Sequence, residues 1–107
     1  MSAQEPEFES VGPVPDLESG HGTQVRVAGV AVAIFRTADG FRALDDRCSH
    51  AGAPLHTGRC DDAGVVTCPW HAFRFDTSNG RCLIGDDHPG VRARAVEERD
   101  GQLWVEA

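Results

Sequence analysis

Two short clusters in the sequence each combine one thiol with one imidazole. The first is Cys48-Ser49-His50, the second is Cys68-Pro69-Trp70-His71, and seventeen residues separate them. Two Cys and two His can bind a single zinc ion, but zinc fingers usually pair Cys with Cys and His with His. A binuclear iron–sulfur centre is the other candidate, because each cluster could send its Cys to one iron and its His to the other. The spacing therefore predicts a metal site and favours iron–sulfur over zinc.

Two further kinds of cysteine chemistry are less consistent with the sequence. A Cys-His nucleophile could use Cys68 and His71, but one nucleophile leaves the second matched pair unexplained, and no oxyanion arrangement is evident. Four cysteines could form two disulfides, yet such scaffolds belong to secreted chains, and no export signal is recognisable at the acidic start of the sequence. Cys60 and Cys82 have no His close by, so we expect reduced thiols acting as small hydrophobic side chains.

The composition limits the class of protein. A chain of 107 residues predicts one domain over residues 1–107, with residues 1–6 too polar to order themselves. The net charge is −7, the basic residues are all Arg, and they are scattered, which argues against nucleic-acid binding. The longest nearly apolar run, Val27 to Phe35, is far shorter than the roughly 20 residues of a membrane span. We therefore expect a cytoplasmic protein with no membrane partner.

The elements around the two clusters are predicted to be short antiparallel strands. Residues 25–27 and 30–35 alternate around Ala28-Gly29, residues 41–44 follow a turn at Asp39-Gly40, and residues 65–67 lead into Cys68. Further hairpins are signalled by Asn79-Gly80 and by Asp100-Gly101, the latter between residues 91–97 and 103–105. Residues 16–19 could form one helical turn ended by Gly20. The sequence thus predicts a small all-β domain with two ligand-bearing loops at one end.

The text around both clusters resembles the Rieske [2Fe-2S] family. The matching segments are Cys48-Ser49-His50-Ala51-Gly52-Ala53-Pro54-Leu55 with Gly58, and Cys68-Pro69-Trp70-His71-Ala72-Phe73-Arg74-Phe75-Asp76 with Gly80. The resemblance extends more weakly from about residue 25 to residue 105. It implies a Rieske-type [2Fe-2S] cluster as cofactor, with Cys48 and Cys68 on the inner iron and His50 and His71 on the outer iron near the surface.

The sequence departs from the respiratory branch of that family at four positions. Those relatives carry a disulfide at the positions of Ala53 and Trp70, and Ser and Tyr hydroxyls at the positions of Phe73 and Phe75. Hydroxyls that donate to cluster sulfurs favour the reduced state, and Phe cannot donate. Within the family range of about −150 to +300 mV, we therefore expect a negative midpoint potential.

The resemblance implies a stand-alone ferredoxin that is not itself an enzyme. Such proteins accept single electrons from a flavin-dependent NADH reductase and pass them to a terminal ring-hydroxylating oxygenase, through transient contacts. A terminal oxygenase would need a much longer chain. The alternative is a small Rieske subunit of a larger reductase, such as assimilatory nitrite reductase, and a non-redox interaction module is a third hypothesis. The chain is expected to be a monomer.

Other residues near the clusters are candidates for supporting roles. His56 follows the first cluster and could lie near it, although such a His, like His21, is more often simply exposed. His88 belongs to residues 85–90, the third loop, which resembles a Pro-containing loop that covers the cluster in the family. A covering role is therefore expected for the loop, and no ligand role for His88. Trp70 is expected to shield the cluster or to pack.

Overall fold

The computed structural model describes residues 7–49, 52–70, 73–84 and 88–107. The predictions for residues 1–6, for His50 and for His71 therefore fall outside the described residues. The strands are β1 Phe8–Pro13, β2 Gly22–Val27, β3 Val30–Thr37, β4 Gly40–Asp45, β5 Arg59–Cys60, β6 Val65–Thr67, β7 Arg74–Asp76, β8 Ala93–Arg94, β9 Val96–Arg99 and β10 Gln102–Glu106. A single 3-10 turn, Leu55–Thr57, lies between β4 and β5.

The strands form three antiparallel sheets. Their orders are β1-β10-β9, β2-β3-β4-β8 and β5-β6-β7. No α-helix occurs in the described ranges, which confirms the all-β prediction. Nor do those ranges contain a helix long and apolar enough to cross a bilayer.

Strand β3 separates two hydrophobic cores because side chains alternate along a strand. Ala33 and Phe35 point into one core, which also holds Cys48 and Cys68. Val32 and Ile34 point into the other, together with residues of β4 and β10. All four β3 side chains are fully buried, so this strand is a central support of the cysteine-containing core.

The hairpins predicted from local turn residues are confirmed. β2 and β3 pair from Gly22↔Phe35 to Val27↔Val30, and the turn residues Ala28 and Gly29 both have positive φ. β9 and β10 pair around Asp100-Gly101, also with positive φ at both residues. After Asn79-Gly80 the described part of the returning chain makes an isolated bridge, from Cys82 to Phe75.

Several features differ from the sequence-based prediction, among them β5 and the 3-10 turn, neither of which was predicted. The prediction of a helical turn at 16–19 is wrong, since this segment is coil and turn. The backbone N–H of Gly20, which follows it, donates to the carbonyl of Arg36 in β3 at 2.8 Å. Strand β1, which pairs with β10, was not predicted. The single strand expected over 91–97 is divided into β8 and the start of β9, which belong to different sheets.

Two glycines of the family motif lie where backbones touch. A Cβ at Gly58 would lie 2.2 Å from the carbonyl oxygen of Thr67, and one at Gly80 would lie 1.8 Å from that of Val91. Any side chain at either position would push two backbones apart. Glycine at these two positions therefore allows the neighbouring backbone segments to approach closely.

Candidate metal centre

The two predicted ligand segments form loops that are closed in the same way. Ligand loop 1 is residues 48–53, after β4, and ligand loop 2 is residues 68–73, after β6. The backbone N–H of Cys48 donates to the carbonyl of Ala53 at 2.8 Å, and that of Cys68 donates to Phe73 at 2.6 Å. Each cysteine thus stands at the base of its loop, with its predicted His partner further along the loop.

The two predicted ligand cysteines lie in the same buried core. Cys48 and Cys68 are each 1% exposed, and both pack in the core that contains Phe35 and Phe75. None of the four cysteines, all of which are described, forms a disulfide. The arrangement of Cys48 and Cys68 fits the prediction, whereas their joint use with His50 and His71 stays a prediction.

The buried thiols of Cys48 and Cys68 are suitable ligands for an iron–sulfur cluster. Two buried thiols in an apolar core would be costly to ionise unless a polycationic group compensated their charge. Within the described ranges no three His, Cys, Asp or Glu side chains group as metal ligands. The further ligands of such a cluster are therefore not found among the described residues, and His50 and His71 stay the predicted ones.

Cys60 and Cys82 are placed too far apart to act together. They occupy the two ends of one row across the third sheet, in which Cys60 pairs with Val66, Val66 with Phe75, and Phe75 with Cys82. At about 4.8 Å per strand the ends are roughly 14 Å apart, beyond disulfide reach. Burial, followed by the neighbouring Asp61 carboxylate, raises the pKa of the Cys60 thiol. This agrees with a small hydrophobic role.

The two phenylalanines at the positions where the respiratory branch carries hydroxyls lie in or against the core that contains Cys48 and Cys68. Phe75 is fully buried in the same core as Cys48 and Cys68, and Phe73 is packed against that core. The chain contains no tyrosine at all. Because a phenylalanine side chain has no donor atom, neither position can donate a hydrogen bond to a cluster sulfur.

The described end of the third loop contacts both ligand loops. The ring of His88 packs edge-on against Phe73, with 4.8 Å between ring centroids. The next residue, Pro89, accepts a hydrogen bond of 2.5 Å from the Ser49 hydroxyl through its carbonyl oxygen. Adjacent residues of the third loop thus touch one ligand loop each, which supports a covering role for its described end. Residues 85–87 of the same loop lie outside the described residues.

The remaining candidates differ in their surroundings. His21 is partly exposed and 3.9 Å from the Glu18 carboxylate, which suits a surface residue. His56 instead contacts the buried Asp46, at 2.6 Å. Trp70 is 61% exposed, which does not fit the alternative that it only packs, and its shielding of the cluster stays a prediction. Asp46 was not singled out from the sequence, although its position two residues before Cys48 was a usable signal.

Comparisons with known proteins define the class to which this fold and site belong. The sequence profile of the Rieske [2Fe-2S] domain family matches residues 7–94, so the chain belongs to that family. Its cofactor is accordingly a Rieske-type [2Fe-2S] cluster. The 3-phenylpropionate/cinnamic acid dioxygenase ferredoxin subunit of Escherichia coli K12 is 35% identical over 94 residues, which are 88% of each chain.

Solved structures extend the comparison. A ferredoxin crystallised in a complex of reduced oxygenase and oxidized ferredoxin in carbazole 1,9a-dioxygenase has a TM-score of 0.78 and 28% identity, covering 91% of this chain and 99% of that one. A putative NADH-dependent nitrite reductase small subunit from Mycobacterium tuberculosis has a TM-score of 0.85 at 23% identity, covering 97% of both chains. At that identity the second similarity shows the fold alone.

Proposed function

We propose that this chain is the ferredoxin component of an oxygenase system, carrying one electron at a time to a terminal ring-hydroxylating oxygenase. The observation that carries the proposal is the reciprocal 88% coverage between this chain and a dioxygenase ferredoxin subunit. The two chains match over most of their length, as expected for two components of the same kind. The chain therefore acts as an electron-transfer component and has no organic substrate of its own.

Cys48, His50, Cys68 and His71 are the proposed ligands of the cluster. Bound there, the cluster supplies a reversible one-electron change. The two cysteines would hold the inner iron, since both are buried in the core. His50 and His71, further along the same loops, would hold the outer iron and offer the shortest path to a docked partner.

The chain's own residues set the conditions for transfer. The closed bases of both ligand loops, at Cys48–Ala53 and Cys68–Phe73, restrict movement of the thiols when the charge changes. Phe73 and Phe75 add no hydrogen bond that would favour the reduced state, which fits a carrier of negative potential. Each contact with a partner should be small, because a shuttle must release both donor and acceptor.

The electron donor is proposed to be a flavin-dependent NADH reductase. A donor that uses NADH would place this chain in the cytoplasm. The chain is further proposed to act as a monomer, with one domain over residues 1–107. The net charge of −7 suits encounter with basic surfaces on either partner.

The test is reconstitution with defined components. Anaerobically purified protein should contain two irons and two acid-labile sulfides for each chain that holds a cluster, as expected for the family. It should be reduced by NADH only when a dioxygenase-type flavin reductase is added, and reoxidised by an oxygenase. Cys68→Ser and His71→Ala should lose the cluster or its native spectrum, whereas Cys60→Ser, the matched buried-thiol control, should keep both. Colourless, iron-free wild-type protein after reconstitution would refute the proposal.

The alternative is a small Rieske subunit of a larger reductase, such as assimilatory nitrite reductase. It predicts stable copurification with a large flavin- or haem-containing chain, and no turnover of an oxygenase. A ferredoxin should instead purify alone and support oxygenase turnover at catalytic concentrations. The same purification therefore separates the two hypotheses.

A further inference from the structure

The carboxylate of Asp46 is completely buried and is the centre of a hydrogen-bond group beside ligand loop 1. Its side chain is 0% exposed. Oδ1 accepts the backbone N–H of His56 at 2.8 Å, and Oδ2 lies 2.6 Å from Nδ1 of His56 and 2.7 Å from Nε2 of Gln24. A buried carboxylate needs such partners, and hydrogen bonds to a charged acceptor are the stronger kind.

These contacts join the two ends of ligand loop 1. Asp46 stands two residues before Cys48, and His56 belongs to the 3-10 turn that follows the loop. The Asp46 backbone N–H also bonds to Ala31 of β3 at 3.0 Å, while Gln24 belongs to β2. One side chain therefore ties the start of the loop, its end and the β2–β3 hairpin together.

Both ligand loops are closed by a backbone hydrogen bond, but the segments that flank ligand loop 2 are also held together by strand pairing. It connects β6 to β7, and its flanking residues Thr67 and Arg74 are paired partners in the antiparallel ladder. Ligand loop 1 connects β4 to a 3-10 turn, and β4 pairs with β3 and β8 instead. No strand pairing closes the base of loop 1 in the described ranges, so the Asp46–His56 contact occupies the position that the ladder fills in loop 2.

We propose that Asp46 and His56 are positioning residues for the cluster, which brace ligand loop 1 and so fix the Cys48 thiol. The inference rests on the proposed function only in that it requires a cluster bound at Cys48. It assigns to His56 a role other than that of a ligand or a solvent-exposed side chain. Both residues would act on the cluster through the backbone of ligand loop 1.

The experiment compares the holoproteins of four variants with wild type. Asp46→Ala removes all three hydrogen bonds, His56→Ala removes the ring contact, and Asp46→Asn keeps an oxygen for the His56 N–H. Thr77→Val is the matched control, because Thr77 is 3% exposed and donates a part-buried hydrogen bond of 2.6 Å to Gly64, at the open end of the β6–β7 hairpin. The measurements are the rate of cluster loss to an iron chelator, the EPR g-values of the reduced cluster, and the melting temperature.

We expect His56→Ala and Asp46→Ala to lose the cluster about tenfold faster than wild type, as removal of supporting contacts does at metal sites. Their g-values should spread over a wider range, and Asp46→Asn should lie between them and wild type. Thr77→Val should melt lower, by about 4–8 °C, with unchanged g-values and cluster loss. His56 is 27% exposed, so its variant keeps the test valid even if Asp46→Ala does not fold.

Two results would overturn the brace. One is wild-type cluster loss and g-values in His56→Ala; the other is the same acceleration in Thr77→Val for an equal fall in melting temperature. Either would leave the ferredoxin proposal intact, provided that wild-type protein holds the cluster. A wild-type protein without a cluster would instead refute the proposed function.

Discussion

At the scale of single residues, Phe75 is the side chain whose chemistry bears most directly on the potential of the cluster. It is fully buried and shares a core with Cys48 and Cys68. We expect Phe75→Tyr to raise the midpoint potential by some tens of millivolts, because the new hydroxyl can donate to a cluster sulfur and stabilise the reduced form. One net hydrogen bond of about 1 kcal/mol corresponds to roughly 40 mV for one electron. A redox titration followed by EPR measures the shift.

The control for that substitution is Phe41→Tyr, which adds the same hydroxyl in the second core, away from both ligand cysteines. It should leave the potential at the wild-type value. An unchanged potential in Phe75→Tyr, with the cluster spectrum intact, would contradict the hydroxyl argument.

Much of the candidate site could be predicted from residue types and spacing alone. Cys48 and Cys68 were identified because each has a His within three residues, and Cys60 and Cys82 were set aside because they have none. The contact of His56 with Asp46 could not be predicted. It depends on how β2 and the 3-10 turn pack together, and no local pattern encodes a contact between side chains ten residues apart on different elements.

At the scale of elements, predictions succeeded where a turn brings neighbouring strands together. The β2–β3 and β9–β10 hairpins have turn residues with positive φ, and three of those four residues, Gly29, Asp100 and Gly101, are types that adopt it readily. Strand β1 has no such signal, since it contains Gly12 and Pro13 and its partner β10 is about ninety residues away in the sequence. Long-range pairing of this kind is decided by the assembled fold.

The contact between Ser49 and Pro89 links ligand loop 1 to the third loop, and its removal should loosen the third loop. Ser49→Ala deletes the hydroxyl that donates to the Pro89 carbonyl, a loss of about 1 kcal/mol. We expect faster hydrogen exchange at the amides of residues 90–92, with strands β2 and β3 unaffected. Exchange measured by mass spectrometry on the holoprotein tests this. Ser78→Ala, which removes a hydroxyl bonded to Asp76, is the control, and equal exchange at 90–92 in both variants would contradict the link.

The carboxylate of Asp76, the last residue of β7, makes the stability of the fold depend on pH in the acid range. The hydroxyl and then the backbone N–H of Ser78 lower the pKa of Asp76, because both donate to its ionised form. A pKa lower in the folded than in the unfolded chain means that this stabilisation is present above the ordinary carboxyl value of about 3.9 and is lost as pH falls through the folded value. It is therefore lost in the acid range.

Asp76→Asn should weaken that acid dependence. The variant should be less stable than wild type near neutral pH, and the difference in urea midpoint should shrink as pH falls from about 5 toward 3. Asp62→Asn, at an exposed carboxylate, should show no such convergence. A constant difference between Asp76→Asn and wild type across this range would contradict the assignment.

At the scale of the whole molecule, charge and size set how the chain meets other molecules. The chain carries a net charge of −7 with no lysine, while its exposed large hydrophobic residues include Trp70 on ligand loop 2 and Leu83 and Ile84, which follow the β7 hairpin. An acidic molecule with a few apolar side chains near its ligand loops suits brief contacts, in which charge brings partners together and a small apolar area holds them.

The net charge leads to a prediction that needs no natural partner. Oxidation of the reduced protein by hexaammineruthenium(III), a cation, should slow by up to about tenfold as the salt concentration rises from about 10 to 200 mM, because the ions screen an attraction. Ferricyanide, an anion, should show the opposite slope, since the same ions screen a repulsion. Stopped-flow absorbance at the visible band of the cluster measures both rates. If both oxidants responded to salt with the same sign, the electrostatic field at the cluster would not follow the net charge of −7, and steering toward basic partner surfaces would have to be abandoned.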